Sequence, residues 1–226
     1  MFVGHYGAAL ALKSTERRLS LGMLFLAVQL VDVLFFPFVM AGVERMRVVP
    51  GFTESTHFEL TYMPYTHSLV ASLAWASLVA GLAYALSGAE KRRLSIALVS
   101  GAAVLSHWLF DLVVHTPDLP LLTDSSPKFG FGLWNHALLT YVIEAALLLG
   151  GLWLYMRSTR AVGESTAARL GVPIFVALLL VVNVQNLFGS PPPSFNAIFW
   201  MAMGSYLGFA AIAFWLDRLR EPAQQE

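Results

Sequence analysis

From Thr66 to Gly88 the chain reads THSLVASLAWASLVAGLAYALSG, with no Asp, Glu, Lys or Arg. A bilayer's hydrocarbon core takes about 20 helical residues to cross, and inside it every backbone N–H and C=O must be paired within the protein. Such a run is therefore restricted to a membrane-spanning helix. Comparable runs occupy 19–43, 94–115, 132–156, 168–188 and 195–217, so the chain is expected to cross six times. The pieces between them, ERMRVVPGFTESTHFE, GAEKRR, TPDLPLLTDSSPKFG, RSTRAVGESTAAR and GSPPPS, are charged or rich in helix-breaking residues. FVGHYGAALAL, ahead of the first run, is too short to cross and reads as a half-helix or an interfacial segment. The expected class is all-α: a polytopic membrane helix bundle forming one domain over 1–226.

Composition agrees. The chain is 57% hydrophobic and 12% charged, far from the balance of a soluble domain. Lys and Arg number 14, as do Asp and Glu, so no global field favours nucleic acid, and membrane lipids are the expected surroundings. The absence of cysteine removes thiol nucleophiles and thiolate ligands, leaving nitrogen and oxygen chemistry. Eleven basic residues fall in the N-terminal segment (Lys13, Arg17, Arg18), the second-to-third loop (Lys91, Arg92, Arg93), the fourth-to-fifth loop (Arg157, Arg160, Arg169) and the C-terminus (Arg218, Arg220). Only Arg45, Arg47 and Lys128 lie on the other side. The positive-inside rule puts both termini in the cytoplasm, as in a bacterial-type inner membrane, with the first run retained as a span.

Against this background SHWLFDLVVHTPD stands out. His107, Asp111, His115 and Asp118 are spaced 4, 4 and 3 apart, which holds them within roughly 80° of a helix. Pro117 is expected to end the helix near His115. At about 1.5 Å per residue, Asp32 and His107 lie roughly 20 Å, and Asp111 about 25 Å, into their spans from the cytoplasmic side. His67 opens a span descending from outside, and His5 reaches similar depth from the Lys13 end. An ionised carboxylate at mid-bilayer costs about 2.5–3.5 kcal/mol on insertion scales. Either Asp–His pairs satisfy one another, or a divalent cation joins them. Imidazole and carboxylate ligands suit zinc, and also manganese or iron. The site is expected toward the outer half of the membrane.

GHYGAALALK, QLVDVLFF, PYTHSL and SHWLFDL together resemble the membrane-bound metal-dependent hydrolases, the YdjM-like family, over about residues 1–125. That family is in turn similar to the zinc-dependent phospholipase C and single-strand nuclease superfamily, helical enzymes that cleave phosphodiesters. The resemblance implies a ligand order of His5, Asp32, His67, His107 with Asp111, and His115, holding one or two ions, with 126–226 as supporting helices. The superfamily's closing HxxxE pair has no direct counterpart: His136 and Glu144 are eight apart, about 80° around a helix instead of 40°. They remain additional ligand candidates.

Two ions about 3.5–4 Å apart would lower the pKa of a shared water and clamp a phosphoester. Asp32 or Asp118 is a candidate base. Asn135, Asn183 and Asn186 are candidate substrate contacts, with interhelical hydrogen bonding the alternative for the last two. His57 reads as solvated surface, the EKRR run at Glu90–Arg93 as topology signal, and the tryptophans as an interfacial belt. The expected function is hydrolysis of a phosphoester on a lipid or lipid-linked substrate. The alternatives are a non-catalytic metal-binding membrane protein or an ion- or proton-coupled transporter, the latter disfavoured by the lack of an inverted repeat.

Overall fold

The computed structural model describes residues 1–89 and 91–223; Glu90, from the EKRR run, lies outside them. Among these residues the chain forms α1 (Val3–Thr15), α2 (Leu21–Val28), α3 (Leu30–Met40), β1 (Arg45–Val48), β2 (Phe58–Tyr62), α4 (Leu69–Leu86), α5 (Arg93–Val114), β3 (Leu119–Pro120), β4 (Lys128–Phe129), a 3-10 turn at Leu133–Asn135, α6 (Ala137–Ser158), β5 (Thr159–Ala161), α7 (Thr166–Phe188), α8 (Phe195–Asp217) and β6 (Arg220–Pro222). The strands pair only as short antiparallel two-stranded ladders, β1 with β2, β3 with β4 and, across the intervening α7 and α8, β5 with β6. Helices α4 to α8 are each long and apolar enough to cross a membrane. Ser20, Ser68, Ser165 and Ser194 start α2, α4, α7 and α8 by accepting the amide three residues on, which satisfies one of the N–H groups a helix start leaves unpaired.

The first expected span, 19–43, is instead two helices bent by 51° at Gln29. Gln29 departs from helical geometry and is itself buried, with its side-chain amide reaching the Phe2 carbonyl at 3.3 Å. As a pair, α2 and α3 make a sixth candidate span.

Of the two expectations for the segment before the first run, α1 follows the half-helix and not the interfacial one, since it lies inside the bundle. Val3, Tyr6, Ala9 and Leu10 join Phe25, Leu148, Tyr155 and Phe175 in the main core. Its approach to α6 is backbone to backbone, because a Cβ on Gly7 would meet the Leu147 carbonyl and one on Gly151 would meet the Gly7 carbonyl. Only glycine permits that separation. A second apolar cluster of Phe35, Phe36, Met63, Leu119, Ile198 and Tyr206 fills the opposite half.

The basic segments expected on one side do meet at one end of the bundle. Buried Lys13 bonds Asp217 at 2.9 Å, Arg17 reaches the Ala223 carbonyl, Arg92 lies 3.6 Å from Glu16, and β5 pairs with β6. At the other end the β1–β2 hairpin is tied to the 3-10 turn by the Ser55 amide on the Trp134 carbonyl, and Glu54 accepts from the Ala137 amide.

Candidate metal centre

Four elements deliver side chains to one point in the half of the bundle near the hairpin. Asp111 is its hub. The carboxylate is 2% exposed; Oδ1 lies 3.2 Å from His5 Nε2, and Oδ2 lies 3.0 Å from His107 Nε2, 3.6 Å from His115 Nε2 and 3.9 Å from His67 Nε2. The Met1 amine donates to Oδ1 at 2.7 Å. Asp32, from the first turn of α3, puts Oδ1 3.3 Å from His67 Nε2 and 3.7 Å from His107 Nε2. His5, His107 and Asp111 form one group able to hold an ion, and Asp32, His67 and His107 another. All six residues named from sequence thus meet at one place, and His107 belongs to both groups.

The far sides of the rings decide their orientation. His107 Nδ1–H donates to the carbonyl of Val28 at 2.7 Å. Val28 is the last residue of α2, so its carbonyl lacks an intrahelical partner and the bend at Gln29 makes it available. His115 Nδ1–H donates to Asp118 at 2.8 Å. Thr66 spends its hydroxyl proton on Glu44 Oε2 at 2.7 Å, so the same oxygen accepts His67 Nδ1–H at 2.8 Å. With Nδ1 protonated on all three rings, each Nε2 carries a lone pair toward the carboxylates. Lone pairs and carboxylate oxygens at this spacing repel unless positive charge lies among them; the Met1 ammonium supplies one at Asp111 Oδ1, and a cation shared by Asp111 Oδ2 and Asp32 would supply the other. His5 Nε2 and His107 Nε2 are buried and make no well-formed hydrogen bond, so they suit a common electrophile better than one another. The donor set fits a divalent cation, with the outer partners that fix ligand tautomers in metal sites. Because outer partners typically contribute 10–100-fold to metal affinity, Thr66→Val, which keeps shape and removes the relay to Glu44, should weaken zinc binding by about that factor in a competition titration.

The remaining candidates separate clearly. Asp118 bonds His115 Nδ1 and the Thr116 hydroxyl and sits behind the ring, away from the convergence point. Glu144 is 1% exposed and accepts the amides of Phe2 and Gly4 with Oε2; it caps the start of α1 from α6, and its Oε1 has no partner. That supplies acceptors for N–H groups that no water would reach in a bilayer. His136 and Asn135 are exposed, outside α6, because the apolar run from 132 begins with the 3-10 turn; Asn135 only closes that turn on the Gly132 carbonyl. Asn183 is fully buried with neither amide atom bonded, whereas exposed Asn186 borders a cavity above the cluster.

That cavity has a volume of about 250 Å³. Its floor includes Asp32, His67, Asp111, His115 and Glu144. Several contributors had no signal in the sequence. Tyr206 of α8 donates to Asp32 Oδ2 at 3.0 Å. Trp134 packs against His115 with ring centroids 4.2 Å apart and planes tilted by 39°, which is packing and not membrane anchoring. His57 is half-buried at the cavity wall, accepting the Gly51 amide and donating toward the Gly189 carbonyl at 3.3 Å; the expectation of a solvated surface histidine is overturned, because the hairpin folds back over the bundle. These are single residues brought in by long-range contacts, with no local pattern to mark them. No family model matches the chain, and neither a curated protein nor a solved structure matches it.

Proposed function

We propose that the protein is a membrane-embedded, metal-dependent hydrolase of a phosphoester carried by a lipid or lipid-linked substrate. The observation that carries the reading is the meeting of four imidazole Nε2 atoms with one buried and one half-buried carboxylate, three of the rings being locked from behind. His5, His107 and Asp111, together with Asp32, His67 and the adjacent His115, are the residues that would hold one or two ions, zinc before manganese or iron by their chemistry. Such an ion would supply Lewis acidity toward a phosphoryl oxygen and toward water.

The chain's own residues do the rest. Asp32 is 17% exposed against 2% for Asp111 and faces the cavity, so it is the carboxylate suited to take a proton from an entering water, with Tyr206 fixing its other oxygen. Asp118 acts through His115 as a positioning residue. The apolar cavity walls exclude bulk water, and the basic end of the bundle faces the cytoplasm, leaving the cavity toward the outer leaflet of a bacterial-type inner membrane. The motif resemblance to membrane-bound metal-dependent hydrolases points to the same chemistry.

The test is elemental analysis of the purified protein, followed by a panel of phosphodiester, phosphomonoester and carboxyl-ester substrates before and after chelation and zinc return. One to two equivalents of metal, with phosphate-ester cleavage that disappears on chelation and returns with zinc, is expected. Metal without turnover on the whole panel would favour a non-catalytic metal-binding protein. A metal-free protein active after chelation would end the proposal.

A further inference from the structure

The cavity has three walls of different chemistry. Its floor is the metal-ligand cluster. One side is apolar, with Phe35 and Phe36 from α3, Phe58 from β2 and Ile198 and Met201 from α8. The mouth carries Gln185, Asn186, Ser190, Thr56 and His57, all able to hydrogen-bond. Among the described residues no Lys or Arg lines it. Among the described residues the side chains of Gln185, Asn186 and Ser190 have no hydrogen-bond partner.

The cavity also reaches the side of the bundle. Consecutive helices α7 and α8 touch one another little; α7 packs mainly on α6 and α8 on α2. Both contribute to the lining, through Val182 and Asn186 on one and Met201 and Ala202 on the other, and Met201 is 61% exposed. From Ile198 to Tyr206 the lining follows α8 for about 12 Å at 1.5 Å per residue, roughly two fifths of the thickness of a hydrocarbon core.

Resting on the phosphoester reading above, we infer that the substrate is a lipid whose phosphate bears an uncharged, hydroxyl-rich head group, a sugar or polyol, and that its acyl chain leaves through the seam between α7 and α8. The phosphoester lies over the cluster. The head group meets the amide and hydroxyl side chains at the mouth, and the chain lies along Ile198 and Met201 into the surrounding lipid. With no Lys or Arg among the described lining residues, the wall offers no side-chain cation to the second charge of a terminal phosphomonoester or to a pyrophosphate. A neutral polyol adds no charge and satisfies the open amides.

The test uses the full chain in phosphatidylcholine vesicles doped with either phosphatidylinositol or phosphatidic acid, each with a photoactivatable acyl chain. Labelling is expected on residues 182–186 and 198–202, with phosphatidylinositol favoured by about tenfold, the equivalent of one to two hydrogen bonds. Ala202→Trp, filling the seam, should abolish the labelling, whereas Leu82→Trp on the exposed face of α4 should not. Gln185→Ala with Asn186→Ala should reduce the head-group preference to about threefold or less. Equal labelling by both lipids, or labelling unchanged by Ala202→Trp, would overturn the inference. Selective labelling without phosphoester cleavage leaves the lipid site standing and removes the hydrolase reading. Cleavage of soluble bis(p-nitrophenyl) phosphate without lipid labelling does the reverse.

Discussion

Asp111→Ala should strip the purified protein of divalent metal, to about a tenth or less of the wild-type content by mass spectrometry, since losing a central ligand exceeds the 10–100-fold affinity effect typical of an outer partner. The reason is its position: each of the four imidazoles approaches one of its two oxygens, at 3.0 to 3.9 Å. Removing the carboxylate removes the charge that balances a cation and leaves the imidazole lone pairs facing each other. Asp111→Asn is the companion variant, because it keeps the shape while removing the charge. Circular dichroism should report wild-type helicity for Asn, so metal loss in that variant reads chemistry and not unfolding. Wild-type metal content in both variants would contradict the assignment of Asp111 as hub. Hydrolysis, where measured, should fall with metal content and not return on adding zinc at wild-type concentrations.

Gly151→Leu should be the most damaging substitution away from the cluster. Overpacking a core usually costs about 1–3 kcal/mol because neighbouring side chains shift. Here the obstacle is the backbone of α1 at Gly7, which has no rotamer to change. The expected result is a loss of at least about 3 kcal/mol, with α1 displaced from α6, Glu144 parted from the amides of Phe2 and Gly4, and His5 withdrawn from Asp111. Metal content should fall with thermal stability, although Gly151 touches no ligand. Gly150→Leu is the control, since a Cβ there meets nothing within 4 Å. If Gly151→Leu and Gly150→Leu behave alike, the close approach of α1 to α6 does not hold the site.

The link between these two predictions shows what each level of information carried. The 4, 4, 3 spacing of His107, Asp111, His115 and Asp118 is a property of one helix, and helical periodicity makes it legible without any partner. It correctly anticipated one face and a helix ending near His115; α5 ends at Val114. It did not distinguish Asp111, in the centre, from Asp118, behind a ring, because that depends on which side of His115 each carboxylate approaches. Likewise Glu144 entered only as an additional ligand candidate, since the amides it caps are 142 and 140 residues away in sequence. The bend at Gln29 was hidden by an unbroken apolar run; hydropathy measures length in oil and not direction.

The amino-acid order by itself determined that the chain is a bundle of membrane-length helices, which of its loops gather at one end, and which histidines and aspartates sit too deep to be ordinary surface. Those properties follow from transfer energies and from 3.6-residue periodicity, both local. Only the tertiary structure decided that His5 is buried against Asp111, that Thr66, Val28 and Asp118 hold three rings from behind, and that Tyr206, Trp134 and His57 belong to the cavity. Those contacts join helices far apart in sequence, and they form because polar groups withdrawn from water must find partners wherever packing brings them together.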